Sequence, residues 1–311
     1  MKHYKIKPIK ELAKLSATPP SIIHPYPLLA LAVFVISKNY NLLGLLKAVI
    51  FSMVFQSAVN LWNHINDVEE DRISGRRNII MENTKIRKIS IIIVVLLYFI
   101  AGIVVLIGSF QRKLALFSFF MLFTVTWMYS DKIYIGKIIP RLKSHYITEL
   151  LTYLVAIPTF LTILWCLNSD TLSKEFEALV ILTILFMLQG VFLKDLKDIS
   201  ADRLAGLRTL GVVFEPYKLI KASFLTSYLY YFSIFVFAII LRFIPEISII
   251  AIIPIVFVTL SFVSIFMNMK KCDDLAKPMK NYIFSNLISF GLLILVNFSY
   301  NFIDIGYIFR F

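Results

Sequence analysis

Leu42-Leu-Gly-Leu-Leu-Lys47-Ala-Val-Ile-Phe-Ser-Met-Val-Phe-Gln56-Ser-Ala-Val-Asn60-Leu-Trp62 is an apolar run of membrane-crossing length. It leads directly into an acidic stretch, Asn63-His-Ile-Asn-Asp67-Val-Glu-Glu-Asp71-Arg-Ile-Ser-Gly75-Arg-Arg77. About 20 apolar residues span the hydrocarbon of a bilayer as a helix. The acidic pattern returns 131 residues later as Lys194-Asp195-Leu-Lys-Asp198-Ile-Ser-Ala-Asp202-Arg-Leu-Ala-Gly206-Leu-Arg208. Each copy holds Asp-x3-Asp-Arg, an aliphatic residue, then Gly and a second Arg at matched offsets.

The same apolar texture runs through the chain. Hydrophobic residues make up 59% and charged residues 16%, with a mean hydropathy of +0.81. These values describe a polytopic membrane protein. Apolar segments near 21–38, 42–62, 89–109, 113–129, 146–168, 176–193, 219–242, 246–269 and 282–309 predict an all-α bundle of nine transmembrane helices. The first run begins after about twenty mostly polar residues and shows no small-residue cleavage site, so it reads as a span and not as a signal peptide. Cys166 and Cys272 have no paired spacing, which argues against a disulfide framework or a zinc site.

The net charge of +13 is distributed by side. Of the 32 Lys and Arg, 25 fall on the N-terminal tail and every second loop, 6 fall on the opposite side, and Lys47 lies inside a span. This bias predicts a cell-membrane protein with its N-terminus and both acidic motifs in the cytoplasm and its C-terminus outside. The basic surplus therefore reads as topology and attraction to anionic membrane lipids, with no nucleic-acid partner and no obligate protein partner indicated. Residues 1–20 alternate Lys with Ile6, Ile9, Leu12 and Leu15, which predicts an amphipathic segment on the cytoplasmic membrane surface. Residues 21–311 then form one transmembrane domain. Three long loops, near 63–88, 130–145 and 194–218, carry 10 of the 19 Asp and Glu, so the active site is expected on the cytoplasmic face.

The 131-residue spacing suggests two related halves of about four helices, each bringing one motif (63–78 and 194–210) to the end of a corresponding helix. Helical continuation would set Asp67 and Asp71, and likewise Asp198 and Asp202, one turn apart on one face, with Asn63 and Lys194 a turn earlier. Two carboxylates so placed repel unless a cation lies between them. Oxygen donors of this kind suit Mg2+, which binds through one or two carboxylates together with waters and substrate phosphates. Arg72, Arg77, Arg203 and Arg208 add phosphate-matching guanidinium groups. A single charged helix end reads as a solvated cap, but two copies with matching Gly and Arg do not.

These residues resemble the UbiA superfamily of intramembrane prenyltransferases. Asn63, Asp67 and Asp71 match its Asn-x3-Asp-x3-Asp motif after the second helix. Asp198 and Asp202, preceded by Asp195 and followed by Gly206 and Thr209-Leu210, match its second motif after the sixth. The resemblance covers essentially the whole chain. It implies that Asp67, Asp71, Asp198 and Asp202 hold Mg2+, with Asn63 and Asp195 as further candidates, on the diphosphate of an isoprenoid donor such as geranylgeranyl diphosphate. It also implies prenyl transfer to a lipophilic acceptor, either an aromatic quinone precursor or a glycerol-lipid hydroxyl.

Family members carry a Tyr and a basic residue in the third loop. Here Tyr129, with Arg141 and Lys143, takes that place as a diphosphate contact, joined by Arg72, Arg77, Lys194 and Arg203. The spacing from Tyr129 to Lys143 exceeds the family pattern, which leaves Lys132 and Lys137 open. The chain also departs from the family after the first motif, reading Gly75-Arg76-Arg77-Asn78 in place of an Arg-Pro element; Arg76, Arg77 and Asn78 are candidates for binding phosphate or ordering the loop. A secondary transporter using paired Asp residues is the alternative reading, but its coupling acids belong near the bilayer midplane, not at helix ends.

Overall fold

The structure, a computed structural model, describes residues 6–17, 26–76, 78–269 and 276–308. Among the described residues all regular structure is helical, and the β pairing is confined to a single bridge between His145 and Arg208. The helices in chain order are α1 Ile6–Ser16, α2 Tyr26–Ile36, α3 Leu42–Asn66, α4 Val68–Ile73, α5 Ile79–Glu82, α6 Thr84–Gly108 and α7 Arg112–Ser130. They continue with α8 Tyr146–Asn168, α9 Lys174–Lys194, α10 Ile199–Leu204, α11 Leu210–Val213, α12 Pro216–Phe235, α13 Ile255–Met269 and α14 Ala276–Ile308.

Eight of the described helical segments are long and apolar enough to cross a bilayer. They coincide with the second to ninth segments expected from the sequence. The first expected segment is represented by α2, whose 11 described residues are fewer than a crossing needs, and residues 18–25 lie outside the described residues.

The chain divides into two compact units. The first comprises Met1–Phe34, Asn41–Thr171 and Asp195–Glu215, and the second Val35–Tyr40, Leu172–Lys194 and Pro216–Phe311. In the first unit α3 is the central helix. It starts where the Asn41 side chain accepts hydrogen bonds from the Leu43 and Gly44 amides at 3.0 and 3.2 Å, satisfying donors that a helix start leaves open.

Gly44, Ala48, Ser52 and Ala58 lie on the buried stripe of α3. Lipid tails are as apolar as leucine, so helices in a bilayer associate through close packing of such small residues and through hydrogen bonds. A Cβ at Gly44 would lie 2.9 Å from the Leu167 carbonyl oxygen of α8, so the backbones touch there. Lys47, inside the span, donates to the Gly108 carbonyl at the end of α6 at 3.0 Å, which gives its charge a helix C-terminus to satisfy. At the other end of α3 the Trp62 indole stacks on Trp127 at 4.0 Å and donates to its carbonyl at 3.0 Å.

The second unit is held by buried hydroxyl and amide bonds. Tyr282 of α14 donates to the Ser223 carbonyl of α12 at 2.9 Å, and Ser227 of α12 donates to Asn286 at 3.2 Å. Asn297 donates to the Ser248 hydroxyl at 3.0 Å.

The sequence duplication is also a structural one. Both α4 and α10 are six residues long, and each follows an Asp in a non-helical conformation, Asp67 and Asp198. Each is followed, two residues past its end, by a glycine with φ of 72°, Gly75 and Gly206. Both Gly residues donate to the carbonyl three positions back at 3.1 Å, and the next residues, Arg76 and Leu207, donate to Asp71 and Asp202 at 2.9 Å. The short helices α5 and α11 then start at matched positions. A left-handed φ costs a residue with a Cβ about 1 kcal/mol. Gly75→Ala and Gly206→Ala are each expected to lower stability by about that amount, read as a fall in the thermal unfolding midpoint of the detergent-purified protein.

Candidate active site

The two Asp motifs and the third loop meet within the first unit. Helix α3 stops at Asn66, yet the one-turn spacing survives the break: the Asp67 amide donates to Asn63 and the Asp71 amide to Asp67, both at 2.8 Å. The Asp202 amide likewise donates to Asp198 at 2.9 Å. Each carboxylate pair therefore sits on one turn, as the sequence pattern requires, although the helix axis is interrupted at the first member.

Five carboxylates and four Lys or Arg cations are joined by direct ion pairs, the outermost between Lys132 and the exposed Glu69 at 3.8 Å. Arg141 reaches Asp67 at 3.1 Å and also pairs with Glu70. Lys143 pairs with Asp67, and Lys132 lies 2.6 Å from Glu70. Arg76 binds Asp71 at 3.1 Å through Nε and Asp198 at 3.5 Å through Nη1, so a single guanidinium bridges the two motifs. The Arg141 side chain is 4% exposed. An ion pair that dry holds only when both charges are matched, since desolvation of each costs several kcal/mol.

Hydrogen bonds lock the remaining geometry. Asn78 caps α5 by accepting from the Ile80 and Met81 amides, and its amide donates to Asp71 Oδ2 at 3.3 Å. The Thr209 hydroxyl, at the same offset in the second motif, donates to Asp202 Oδ2 at 2.9 Å. The third loop is pinned on both flanks. Ser130 donates to the Asn63 side chain and the Lys132 amide to Asn66 at 2.8 Å. The Arg208 amide donates to Ser144, and the Tyr146 amide to Arg208, each at 2.9 Å.

Burial shapes the electrostatics. For Glu70, burial pushes the carboxyl up, but the hydrogen bond from Lys132 and the Arg141 charge outweigh it and hold the group below its usual range. For Lys143, burial pushes the ammonium down and neighbouring Arg141 adds to the fall, against the opposing pull of Asp67.

The model of the UbiA prenyltransferase family matches residues 26–294. The chain belongs to the UbiA prenyltransferase family. An uncharacterized protein of Archaeoglobus fulgidus is 39% identical over 218 residues, covering 69% of this chain and 73% of that protein. A solved UbiA homolog from Archaeoglobus fulgidus bound to DMAPP and Mg2+ shares the fold with a TM-score of 0.65 at 14% identity, covering 93% of this chain and 98% of that one. A structure of digeranylgeranylglyceryl phosphate synthase has a TM-score of 0.64 at 15% identity, covering 94% and 98%. This UbiA member is thus a multi-pass membrane enzyme, a prenyltransferase.

Among the residues expected to bind ligand, Asn63, Asp67, Asp71, Asp198, Asp202, Arg141 and Lys143 come together in this UbiA protein. Tyr129 joins them indirectly, with Lys143 Nζ 6.0 Å from its ring centre. Asp195 is buried in the turn that precedes Asp198, whose amide donates to it at 3.1 Å. Arg72 and Arg203 are solvent-exposed, because the residue after an Asp on the inner face lies about 100° further round the helix, and Arg208, in the turn beyond the second short helix, is exposed as well. Lys194 is half-buried as the last residue of α9, and Arg77 lies outside the described residues.

The bridging role of Arg76, the pairing of Glu70 with Lys132, and the Asn78 and Thr209 contacts went beyond the sequence reading. For the last two, their identical offset of seven after the second Asp of each motif was the available signal. Among the described residues no three acidic, Cys or His side chains form a closed metal cage. The carboxylates instead converge on cations, with Arg76 standing between Asp71 and Asp198.

Glu70→Gln removes a carboxylate that two cations share. It is expected to cost about 3 kcal/mol at neutral pH. Because the folded pKa is depressed, this advantage of the wild type is complete above the unfolded value of about 4.3. It disappears as pH falls through the lower folded value. Unfolding midpoints of both proteins between neutral and acid pH would show the two curves converging.

Proposed function

We propose that this enzyme transfers an isoprenyl group from a prenyl diphosphate to a lipophilic acceptor with the help of Mg2+. The observation that carries this reading is the convergence of both Asp motifs and the third loop on one charged cluster. The cluster already holds no excess of positive charge, five carboxylates against four cations. A diphosphate adds negative charge, so it must arrive with cations of its own or displace carboxylates from Arg76, Arg141 and Lys143. Divalent ions fit this arrangement, since hard oxygen donors from two separate turns leave positions for phosphate and water. Asp67, Asp71, Asp198 and Asp202 would hold them, with Asn63 and Asp195 as outer partners; the bound ions would add positive charge against the leaving diphosphate.

The residues of the chain then divide the work. Arg76, Arg141 and Lys143 turn from carboxylates to phosphate oxygens and stabilise the diphosphate as its bond to the allylic carbon breaks. Asn78 and Thr209 hold the outer carboxylates of the two motifs in place. The apolar helices keep water from the allylic cation. The relatives of known structure support the donor side, since one is bound to DMAPP and Mg2+ and another to GPP and Mg2+. The charge bias supports a cytoplasmic site.

Purified protein would be incubated with Mg2+, prenyl diphosphates of several lengths including geranylgeranyl diphosphate, and a panel of aromatic and glyceryl acceptors, with products identified by mass spectrometry. Chelation with EDTA is expected to abolish product and added Mg2+ to restore it. Asp67→Ala and Asp202→Ala are expected to lower turnover at least 100-fold while the proteins stay folded. Wild-type-like turnover in either variant would exclude the shared metal site, and absence of donor binding at every chain length would exclude the prenyl diphosphate reading.

A further inference from the structure

Glu149 is a carboxylate that the donor chemistry does not use. It lies in the first turn of α8, within a membrane span, and is fully buried with 0% exposure. Ionisable groups at such positions are costly and mark function more often than packing. Its Oε1 accepts a hydrogen bond from the Tyr129 hydroxyl at 2.9 Å, and that hydroxyl lies 3.3 Å from the hydroxyl of Tyr153, one turn further along α8. The two tyrosine rings meet edge to face at 6.0 Å.

This trio adjoins the charged cluster. The Tyr129 ring carries Lys143 Nζ 6.0 Å from its centre, and Lys143 pairs with Asp67. From Asp67 the contacts run through Lys143 and Tyr129 to Glu149, passing from the expected diphosphate end to a carboxylate among the apolar helices. Tyr129 and Tyr153 are half-buried, so their hydroxyls connect a fully enclosed acid with less enclosed surroundings.

Resting on the prenyl-transfer reading above, we infer that Glu149 receives the acceptor's proton through the Tyr129 and Tyr153 hydroxyls, and that the acceptor presents a hydroxyl, phenolic or glyceryl, to this tyrosine pair. The allylic carbon–oxygen bond breaks with its electron pair passing to the diphosphate. The acceptor supplies the pair for the new bond to carbon, from its oxygen or from its ring, and so has one proton to lose. That proton passes along the tyrosine hydroxyls to Glu149, which becomes a neutral acid, and returns by the same hydroxyls once product has left. A carboxylate is the base here because both tyrosines can only exchange a proton, whereas Glu149 can store one.

The test compares two rates in one sample: release of diphosphate from geranylgeranyl diphosphate with water alone, and prenylation of phenolic or glyceryl acceptors. Their ratio is independent of the folded fraction. Glu149→Gln is expected to lower the ratio of transfer to hydrolysis at least 100-fold, the scale of general-base catalysis, with hydrolysis and donor binding within threefold of wild type. Glu149→Asp, which keeps the charge, is expected to recover part of the ratio.

Transfer and hydrolysis falling in parallel in both variants would overturn the proposal by making Glu149 a structural residue. An unchanged ratio in Glu149→Gln would do the same, as would wild-type transfer confined to acceptors without a hydroxyl. A wild type that neither binds the donor nor releases diphosphate would instead remove the prenyl-transfer reading itself. Whichever acceptor class the wild type accepts identifies the source of the hydroxyl.

Discussion

The arrangement depends on the cost of placing carboxylates where water is scarce. Asp67, Glu70 and Asp71 follow the end of a membrane-spanning helix, and the two glutamate and aspartate side chains at 70 and 71 are each less than a tenth exposed. Unpaired, such charges would cost several kcal/mol each. They are stable because cations from other segments come to them: Arg141, Lys143 and Lys132 from the third loop, and Arg76 from beyond the turn at Gly75. The charges thereby do structural service, since three loops far apart in sequence are held together by the same pairs that compensate burial. Breaking a single one leaves an orphaned charge as well as a looser loop.

Such a cluster is also poised for exchange. A guanidinium that satisfies one carboxylate from each motif makes the two motifs mutually dependent, and a phosphate oxygen offers it an equivalent partner in the same planar geometry. In the proposed mechanism the carboxylates released from arginine would be free for a divalent cation, and each guanidinium would exchange one anionic partner for another. The fixed elements are those that do not exchange, namely the Asn78 and Thr209 hydrogen bonds and the backbone pairing of Ser144 and Tyr146 with Arg208.

Much of this was legible in the sequence, for identifiable reasons. Spans follow from apolar length alone, and the eight observed crossings lie where the runs predict them. The repeat was legible because a positive φ restricts Gly75 and Gly206 and because one-turn spacing restricts the acids. What the sequence hid is pairing. Arg72 is adjacent to Asp71 in the chain and Arg76 five residues away, yet Arg76 is the one that turns back onto Asp71, because the left-handed residue at Gly75 reverses the backbone between them. Arg141 and Lys143 were expected against phosphate, and they rest instead on Asp67. Glu149 looked like one more residue after a loop, since burial of a carboxylate depends on neighbours 20 residues away.

The duplication carries an asymmetry that the local fold conceals. Both motifs share the turn, the glycine and the clamp on the second Asp, but only the first is followed by a residue that bridges to the other: Arg76 corresponds to Leu207. The first motif also carries Glu70 where the second has Ala201. Extra acid and extra base therefore appear in the same copy: Glu70 binds the third loop through Arg141 and Lys132, and Arg76 reaches the second motif at Asp198. Two equal copies would each need their own clamp to the rest of the site. Concentrating the ion pairs in one copy anchors the third loop there, and the electrostatic asymmetry of the site is a direct consequence of where the sequence repeat is imperfect.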